Sequence, residues 1–312
     1  MRKNLAVWIK QKFKEQKFFF VTPDVGHGMW EPIKAALGPY AVNLGITEPH
    51  SVDFAAGLAA QEKVFLYSIA GFVGLRGLEQ IKLSLAHDQN QVCLIGSGGN
   101  FYYGLQGVTH YASEDLALIA NYPSIRIFYP HTPEEFDYFA STFLADGRPS
   151  FMRLDPHPVL AQARPKTVDG HTIFYYQQSP HPTAFIVVAG THSLTQLLTP
   201  PAIHLSSEIL TAGCWDEAYL TAIAQAYLDA QQRAPDAFLP FIIISEVGPL
   251  DPLASRMQHI LHQLNLDDIK IHSLHYGDGT ANLHLGPEEY LVAQLGLGRT
   301  QIAGFLQQIL NP

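Results

Sequence analysis

"NLGITEPHSVDFAAGLAAQ", residues 43–61, places a glutamate where a short apolar run gives way to a helical pattern. The run before Glu48 is typical of a strand, and Pro49 suits the first position of a helix, where no backbone N–H is needed. We therefore predict Glu48 at a helix N-terminus that follows the carboxyl end of a strand. Open α/β sheets bind their ligands at that edge. Taken alone, the stretch favours a simpler role, in which the carboxylate only stabilises its own helix.

Short apolar runs alternate with helical patterns along most of the chain. The predicted strands are 17–21, 41–44, 64–68, 91–95, 125–129, 150–154, 184–190, 202–205, 239–245 and 269–273. The predicted helices are 3–15, 49–61, 75–87, 113–120, 133–144, 216–233, 251–264, 287–295 and 298–310. Continuous hydrophobicity within the runs indicates parallel sheets that are covered on both faces. The pattern predicts two doubly wound α/β domains, 1–155 and 184–312, joined by a polar, proline-rich linker at 156–183.

Composition narrows the class of protein. A chain of 312 residues can bury two cores, and 47% hydrophobic residues with a net charge of -9 argue against a basic nucleic-acid-binding protein. No run approaches the ~20 apolar residues that a membrane helix needs. Two cysteines do not make a disulfide framework. We expect a cytoplasmic protein with neither a membrane segment nor a nucleic-acid partner.

Three further motifs follow the opening stretch in a fixed order. They are "YSIAGFVGLRGLEQIK" at 67–82, "GSGGNFYYGLQGVTHYASEDLALI" at 96–119 and "YPSIRIFYPHTPEEF" at 122–136. Together with residues 43–61, they resemble the pyrimidine-binding domain of thiamin-diphosphate enzymes of the transketolase type. The resemblance covers about residues 18–154, and the later part of the chain more loosely resembles the transketolase C-terminal domain. It implies a pyrimidine-binding thiamin-diphosphate-fold domain followed by a transketolase C-terminal-like domain.

The resemblance implies a role for each of five residues near the cofactor. Glu48 matches the glutamate that hydrogen-bonds ring nitrogen N1′ of the aminopyrimidine, and Phe72 matches an aromatic residue that packs on the ring. Ile69 falls on the wall of the same pocket, and Arg76 matches an arginine of the family's next helix. His110, in "GVTH", matches a histidine that faces the reacting carbons. Glu48 and His110 are thus the expected catalytic residues.

Departures from the family pattern bear on the substrate. Gln106 stands where many sugar transketolases have an aspartate, and Pro156 stands where the second arginine of a phosphate-binding pair is expected, so that Arg153 remains as the first. A phosphate without an arginine fork loses its bidentate partner. With His110, the expected substrate residues are Gln106, Arg153 and Tyr102, the last in an aromatic loop that suits a less charged molecule. Alternatively, the tyrosines of that loop face the core.

The motif that binds the diphosphate in this family is missing. The family uses G-D-G followed by an asparagine, whereas the G-D-G at 277–279 has too little chain after it and is interpreted as a turn. We therefore expect thiamin diphosphate to bind between this chain and a separate, diphosphate-binding alpha-type subunit in an α2β2 assembly. Mg²⁺ or Ca²⁺ would be held by that subunit, with no metal ligands on this chain.

The implied activity is that of a beta-type subunit of a transketolase-like transferase, inactive without its partner, that moves a ketol or acyl unit between small carbonyl compounds. One alternative is the beta subunit of a 2-oxo acid dehydrogenase or decarboxylase, which would pass an acyl group to a lipoyl carrier or release an aldehyde. Another is a non-catalytic scaffold or regulatory subunit. The joint retention of Glu48, Phe72, Thr109 and His110 argues against that last alternative.

Overall fold

The protein is described here by a computed structural model, which covers residues 1–199, 206–234, 238–248, 251–277 and 285–310. The chain divides into two compact units, Met1–Pro158 and Val159–Pro312. Each unit contains one six-stranded sheet. No helix in the described ranges is long and apolar enough to cross a bilayer.

The sheet of the first unit is parallel throughout. Its strands are β1 (Phe19–Thr22), β2 (Ala41–Asn43), β3 (Val64–Ile69), β4 (Val92–Ser97), β5 (Arg126–Phe128) and β6 (Ser150–Leu154). They lie in the order β2-β1-β3-β4-β6-β5. The central strands β3 and β4 are almost entirely buried, as their continuous apolar sequences predict. Phe65 on β3 packs edge-on against Trp8, Phe18 and Phe143 in the core.

Helices cover both faces of this sheet. They are α1 (Arg2–Glu15), α2 (Trp30–Leu37), α3 (Glu48–Leu58), α4 (Ala70–Arg76), α5 (Leu78–Gln80), α6 (Asp115–Ile119) and α7 (Pro133–Asp146). A π-helical segment, Ile81–His87, continues α5, and short 3₁₀ turns lie at Gly38–Tyr40, Gly104–Gln106 and Val108–His110. The sequence did not predict α2, because Pro32 and the glycines before it are typical of a loop. Pro32 is tolerated because it lies in the first turn, where no intrahelical N–H bond is lost.

The second unit has a mixed sheet. Its strands are β7 (Arg164–Val168), β8 (His171–Gln177), β9 (Ala184–Ala189), β10 (Ser207–Thr211), β11 (Phe241–Ser245) and β12 (Ile271–Leu274). Their order is β12-β11-β9-β10-β8-β7, parallel from β12 to β10 and antiparallel at β8 and β7. The helices of this unit are α8 (Thr191–Leu198), α9 (Glu217–Gln231), α10 (Pro252–Gln263), α11 (Glu288–Gln294) and α12 (Arg299–Leu310).

Residues 164–177 differ from the linker that the sequence predicted. They form the hairpin β7–β8, which turns at Asp169 and Gly170, both with positive φ. An Asp-Gly pair at such a turn is a strong hairpin signal, but the prolines and polar residues around it concealed the signal. The predicted strand at 202–205 and most of the G-D-G turn, Asp278 and Gly279, lie outside the described residues.

Candidate functional site

Glu48 is the first residue of α3 and follows the loop after β2. Its side chain is nearly buried, with 4% of the residue exposed. The nearest charged group is Arg76, whose Nη1 lies 3.7 Å from Glu48 Oε1. Among the described residues, no hydrogen bond is donated to this carboxyl. A buried carboxyl with spare acceptor capacity is suited to a ligand that brings its own donor.

Arg76, at the end of α4, connects Glu48 to an aromatic ring. Its guanidinium carbon lies 4.1 Å from the ring centroid of Phe72, one turn earlier on the same helix. The guanidinium therefore lies between the buried carboxyl and the ring. Its side chain is 48% exposed, so it can leave this place without disturbing a packed core. A planar, N–H-donating group thus already bridges the carboxyl and the aromatic surface.

His110 faces the other members of the group from the 3₁₀ turn Val108–His110. Its ring centroid lies 4.8 Å from that of Phe72, and its Nδ1 lies 3.1 Å from Thr109 Oγ1. Burial, and secondarily the positive charge of Arg76, lowers the pKa of His110 below its usual value. The neutral imidazole is consequently favoured near pH 7, where it can accept or donate a proton.

Glycine at position 71 permits the close approach of α4 to this turn. A Cβ atom on Gly71 would collide with the backbone carbonyl oxygen of Tyr111. The sequence predicted a helix beginning only at residue 75, whereas α4 begins at Ala70. Gly71, Gly74 and Gly77 weaken the helical signal of this segment, but here they serve packing.

Further rings extend from His110. Tyr103 lies 6.0 Å from His110, Tyr102 lies 4.9 Å from Tyr103, and His157 lies 5.4 Å from Tyr102, all measured between ring centroids. We call the five side chains Phe72, His110, Tyr103, Tyr102 and His157 the aromatic strip. Tyr102 and Tyr103 are half-buried and His157 is exposed, so these tyrosines do not lie in the core. The sequence analysis did not single out Tyr103 or His157.

Arg153 occupies a different environment from the substrate-facing position expected of it. It is fully buried on β6, where it forms an ion pair with Asp115 and donates to Asn100 Oδ1 at 2.9 Å and to the carbonyl oxygen of Ala112. Asn100 and Ala112 also exchange two backbone hydrogen bonds. Arg153 therefore fastens both ends of the loop that carries Tyr102, Tyr103 and His110. Its guanidinium is used within the protein and offers no fork to a substrate.

The two remaining predicted site residues have less defined surroundings. Ile69 is the N-cap of α4 at the end of β3 and is half-buried. Gln106 is exposed at the end of the 3₁₀ turn Gly104–Gln106. Both lie in segments adjoining the aromatic strip, which leaves a pocket wall and a substrate contact as predictions for them.

Comparison with known proteins gives a family for the first unit. Residues 9–156 match the family model of the transketolase pyrimidine-binding domain. A subunit of the apulose-4-phosphate transketolase of Phocaeicola vulgatus is 40% identical over 90 residues, 28% of this chain and 29% of its own. The 6-deoxy-6-sulfo-D-fructose transketolase subunit SqwH of a Clostridium species is 30% identical over 121 residues, 38% of each chain. The matches thus span about a third of the length of these curated relatives.

Solved structures extend the likeness over the whole chain. The beta chain of a split-gene transketolase, solved as an inactive beta4 tetramer, superposes with a TM-score of 0.76 at 17% identity, covering 99% of this chain and 97% of that chain. Transketolase of Campylobacter jejuni gives 0.71 at 12% identity, covering 98% of this chain and 46% of that one. Residues 9–156 of this chain therefore belong to the transketolase pyrimidine-binding domain family, within a chain that has the fold of a split transketolase beta subunit.

Proposed function

We propose that this chain is the beta-type subunit of a thiamin-diphosphate-dependent transketolase-like transferase, which moves a ketol or acyl unit between carbonyl compounds. The observation that carries the proposal is the buried Glu48 carboxyl, joined through Arg76 to Phe72 and adjoined by His110. The relatives named as transketolase subunits favour this activity over that of a 2-oxo acid dehydrogenase component. They also favour it over a non-catalytic role.

The residues present fit the aminopyrimidine ring of the cofactor. Glu48 would hold a proton at ring nitrogen N1′, since burial disfavours the charged form of a carboxyl and the ring supplies its partner. Phe72 would pack on the ring, and Arg76 would move aside. Thiamin diphosphate supplies a nucleophilic carbon and an electron sink for the cleavage of a carbon–carbon bond. His110, kept neutral by its lowered pKa, would take or return a proton at the substrate's oxygen.

A separate alpha-type subunit would bind the diphosphate and Mg²⁺ or Ca²⁺, in an α2β2 assembly. Three large apolar side chains on the loops around the site support a protein partner there: Ile46 is 77% exposed, Leu105 73% and Val108 69%. The relatives whose names make them single subunits of a transketolase, and the split-gene neighbour, support the same arrangement. The chain alone would then be inactive. Its two buried, unpaired cysteines fit a cytoplasmic location.

The test begins with co-purification of this chain with the product of an adjacent reading frame that encodes the missing G-D-G motif. Glu48→Gln keeps the side-chain volume but removes the ionisable oxygen, so turnover should fall by about 10²- to 10⁴-fold. Calorimetry should show that the complex binds thiamin diphosphate and that this chain alone does not.

The matched control is Glu62→Gln, the same substitution at an exposed position just beyond α3, which should leave turnover unchanged. Wild-type turnover by the Glu48→Gln complex would refute the proposed role of the carboxyl. Full turnover by this chain without a partner would refute the split site.

A further inference from the structure

We propose that Tyr102 and His157 form the far end of the substrate site, and that this end takes an uncharged, hydroxylated chain in preference to a phosphorylated one. The inference rests on the proposed function, because it uses Glu48, Phe72 and His110 as the reacting end. It adds a residue, His157, and a substrate class to that site.

The aromatic strip gives the site a direction. Phe72 and His110 stand at the end next to Glu48, and Tyr102 and His157 stand at the other. Successive ring centroids lie 4.8 to 6.0 Å apart, so the strip is continuous. A chain of several carbons with its carbonyl at His110 would therefore extend over the tyrosines towards His157.

The far end offers hydrogen bonds of moderate strength. Among the described residues, neither the Tyr102 hydroxyl nor the His157 ring has a hydrogen-bond partner within the protein. Each can donate to or accept from a hydroxyl group, and the ring faces can pack on C–H groups. A sugar-like chain presents both kinds of surface along its length.

A phosphate would find a poor partner at the same place. Two negative charges call for several charged donors, ideally an arginine fork. The guanidinium of Arg153, the arginine nearest in sequence to His157, is bonded to Asp115, Asn100 and Ala112 beneath the loop. A single exposed imidazole does not replace it.

The experiment compares three ketol donors with the complex of this chain and its diphosphate-binding partner. Hydroxypyruvate has no far end, whereas D-xylulose and D-xylulose 5-phosphate differ by one phosphate. We expect a higher kcat/KM for D-xylulose than for its phosphate. In Tyr102→Leu, the kcat/KM of D-xylulose relative to hydroxypyruvate should fall about tenfold, mainly through KM, because one hydrogen bond and the ring contact are lost.

Two histidine variants complete the test. His157→Arg places a permanent cation beside Tyr102 and should shift the preference towards D-xylulose 5-phosphate. His262→Ala, at an exposed histidine of α10 in the second unit, should leave all three values unchanged. A wild-type preference for the phosphate, or an unchanged ratio in Tyr102→Leu, would overturn the inference while leaving the proposed function intact. Failure to turn over hydroxypyruvate would overturn the proposed function and the inference with it.

Discussion

Arg76 contacts or influences three groups of the site at once. It pairs with Glu48, lies over Phe72 and adds its positive charge to the surroundings of His110. A guanidinium resembles an aminopyrimidine in being flat and rich in N–H donors. We therefore interpret Arg76 as holding the carboxyl and the ring surface in place until the cofactor ring replaces it.

Replacing Arg76 should change the titration of His110. The pKa of His110 lies below its ordinary value first because of burial and second because of Arg76. Arg76→Gln removes the second cause, and a cation repels a proton, so the pKa of His110 should rise. If His110 acts as a base, the acid limb of the pH–activity profile of the complex should shift to higher pH as well.

Proton NMR titration of the histidine ring signals would measure this change, with His110→Gln identifying the resonance. Lys82→Gln, an exposed lysine of the π-helical segment, removes the same charge and should leave the pKa of His110 where it is. An unchanged or lower pKa in Arg76→Gln would contradict the electrostatic coupling.

The sequence could predict some of these residues and not others. Glu48, Phe72 and His110 each stand in a local motif, so their proximity follows from the order of the motifs along a parallel sheet. The surroundings of Arg153 could not be predicted in the same way. Its partner Asp115 lies 38 positions earlier, and only packing of α6 against β6 brings the two charges together.

Helix α4 depends on glycine at one position. A methyl group at Gly71 would strike the Tyr111 carbonyl, so Gly71→Ala should push the helix from the His110 turn and lower the free energy of unfolding by about 1–3 kcal/mol. Gly57→Ala in α3 is the matched control, because a Cβ there meets nothing within 4 Å. It should raise stability by about 0.5–1 kcal/mol. Thermal unfolding measures both, and equal effects would refute the packing argument.

The loop between β4 and α6 depends on the buried ion pair beneath it. Asp115→Asn leaves the fully buried Arg153 without its counter-charge and should cost about 3–5 kcal/mol of unfolding free energy. Asp146→Asn is the control, since Asp146 pairs with Arg126 but is 44% exposed, and solvent screening limits the cost to about 0–1 kcal/mol.

Urea unfolding at one pH compares the two aspartate variants. Limited proteolysis of the loop in Asp115→Asn should also be faster, because Arg153 would no longer fasten Asn100 and Ala112. A cost for Asp115→Asn no greater than that for Asp146→Asn would show that the buried pair does not hold the loop.

Over the whole molecule, the sequence predicted two α/β units but placed the second one too late. Apolar runs of β9 and β11 are unmistakable, and most predicted strands match within a few residues. The hairpin β7–β8 was missed because β7 is largely exposed, with polar residues where a buried strand would show apolar ones. Edge strands carry this weak pattern because only one side of them pairs.

The hairpin should decide whether the second unit folds as a fragment. In residues 159–312, β8 pairs with β10 and covers the edge of the sheet with the buried side chains of Ile173, Phe174 and Tyr175. A fragment beginning at residue 184 loses two of the six strands and exposes the edge of β10, which invites aggregation. The fragment 159–312 should therefore unfold in one cooperative transition, whereas 184–312 should aggregate or melt without cooperativity. Circular dichroism melting and size-exclusion chromatography distinguish the two results. Equal cooperativity would mean that the hairpin belongs to the linker after all.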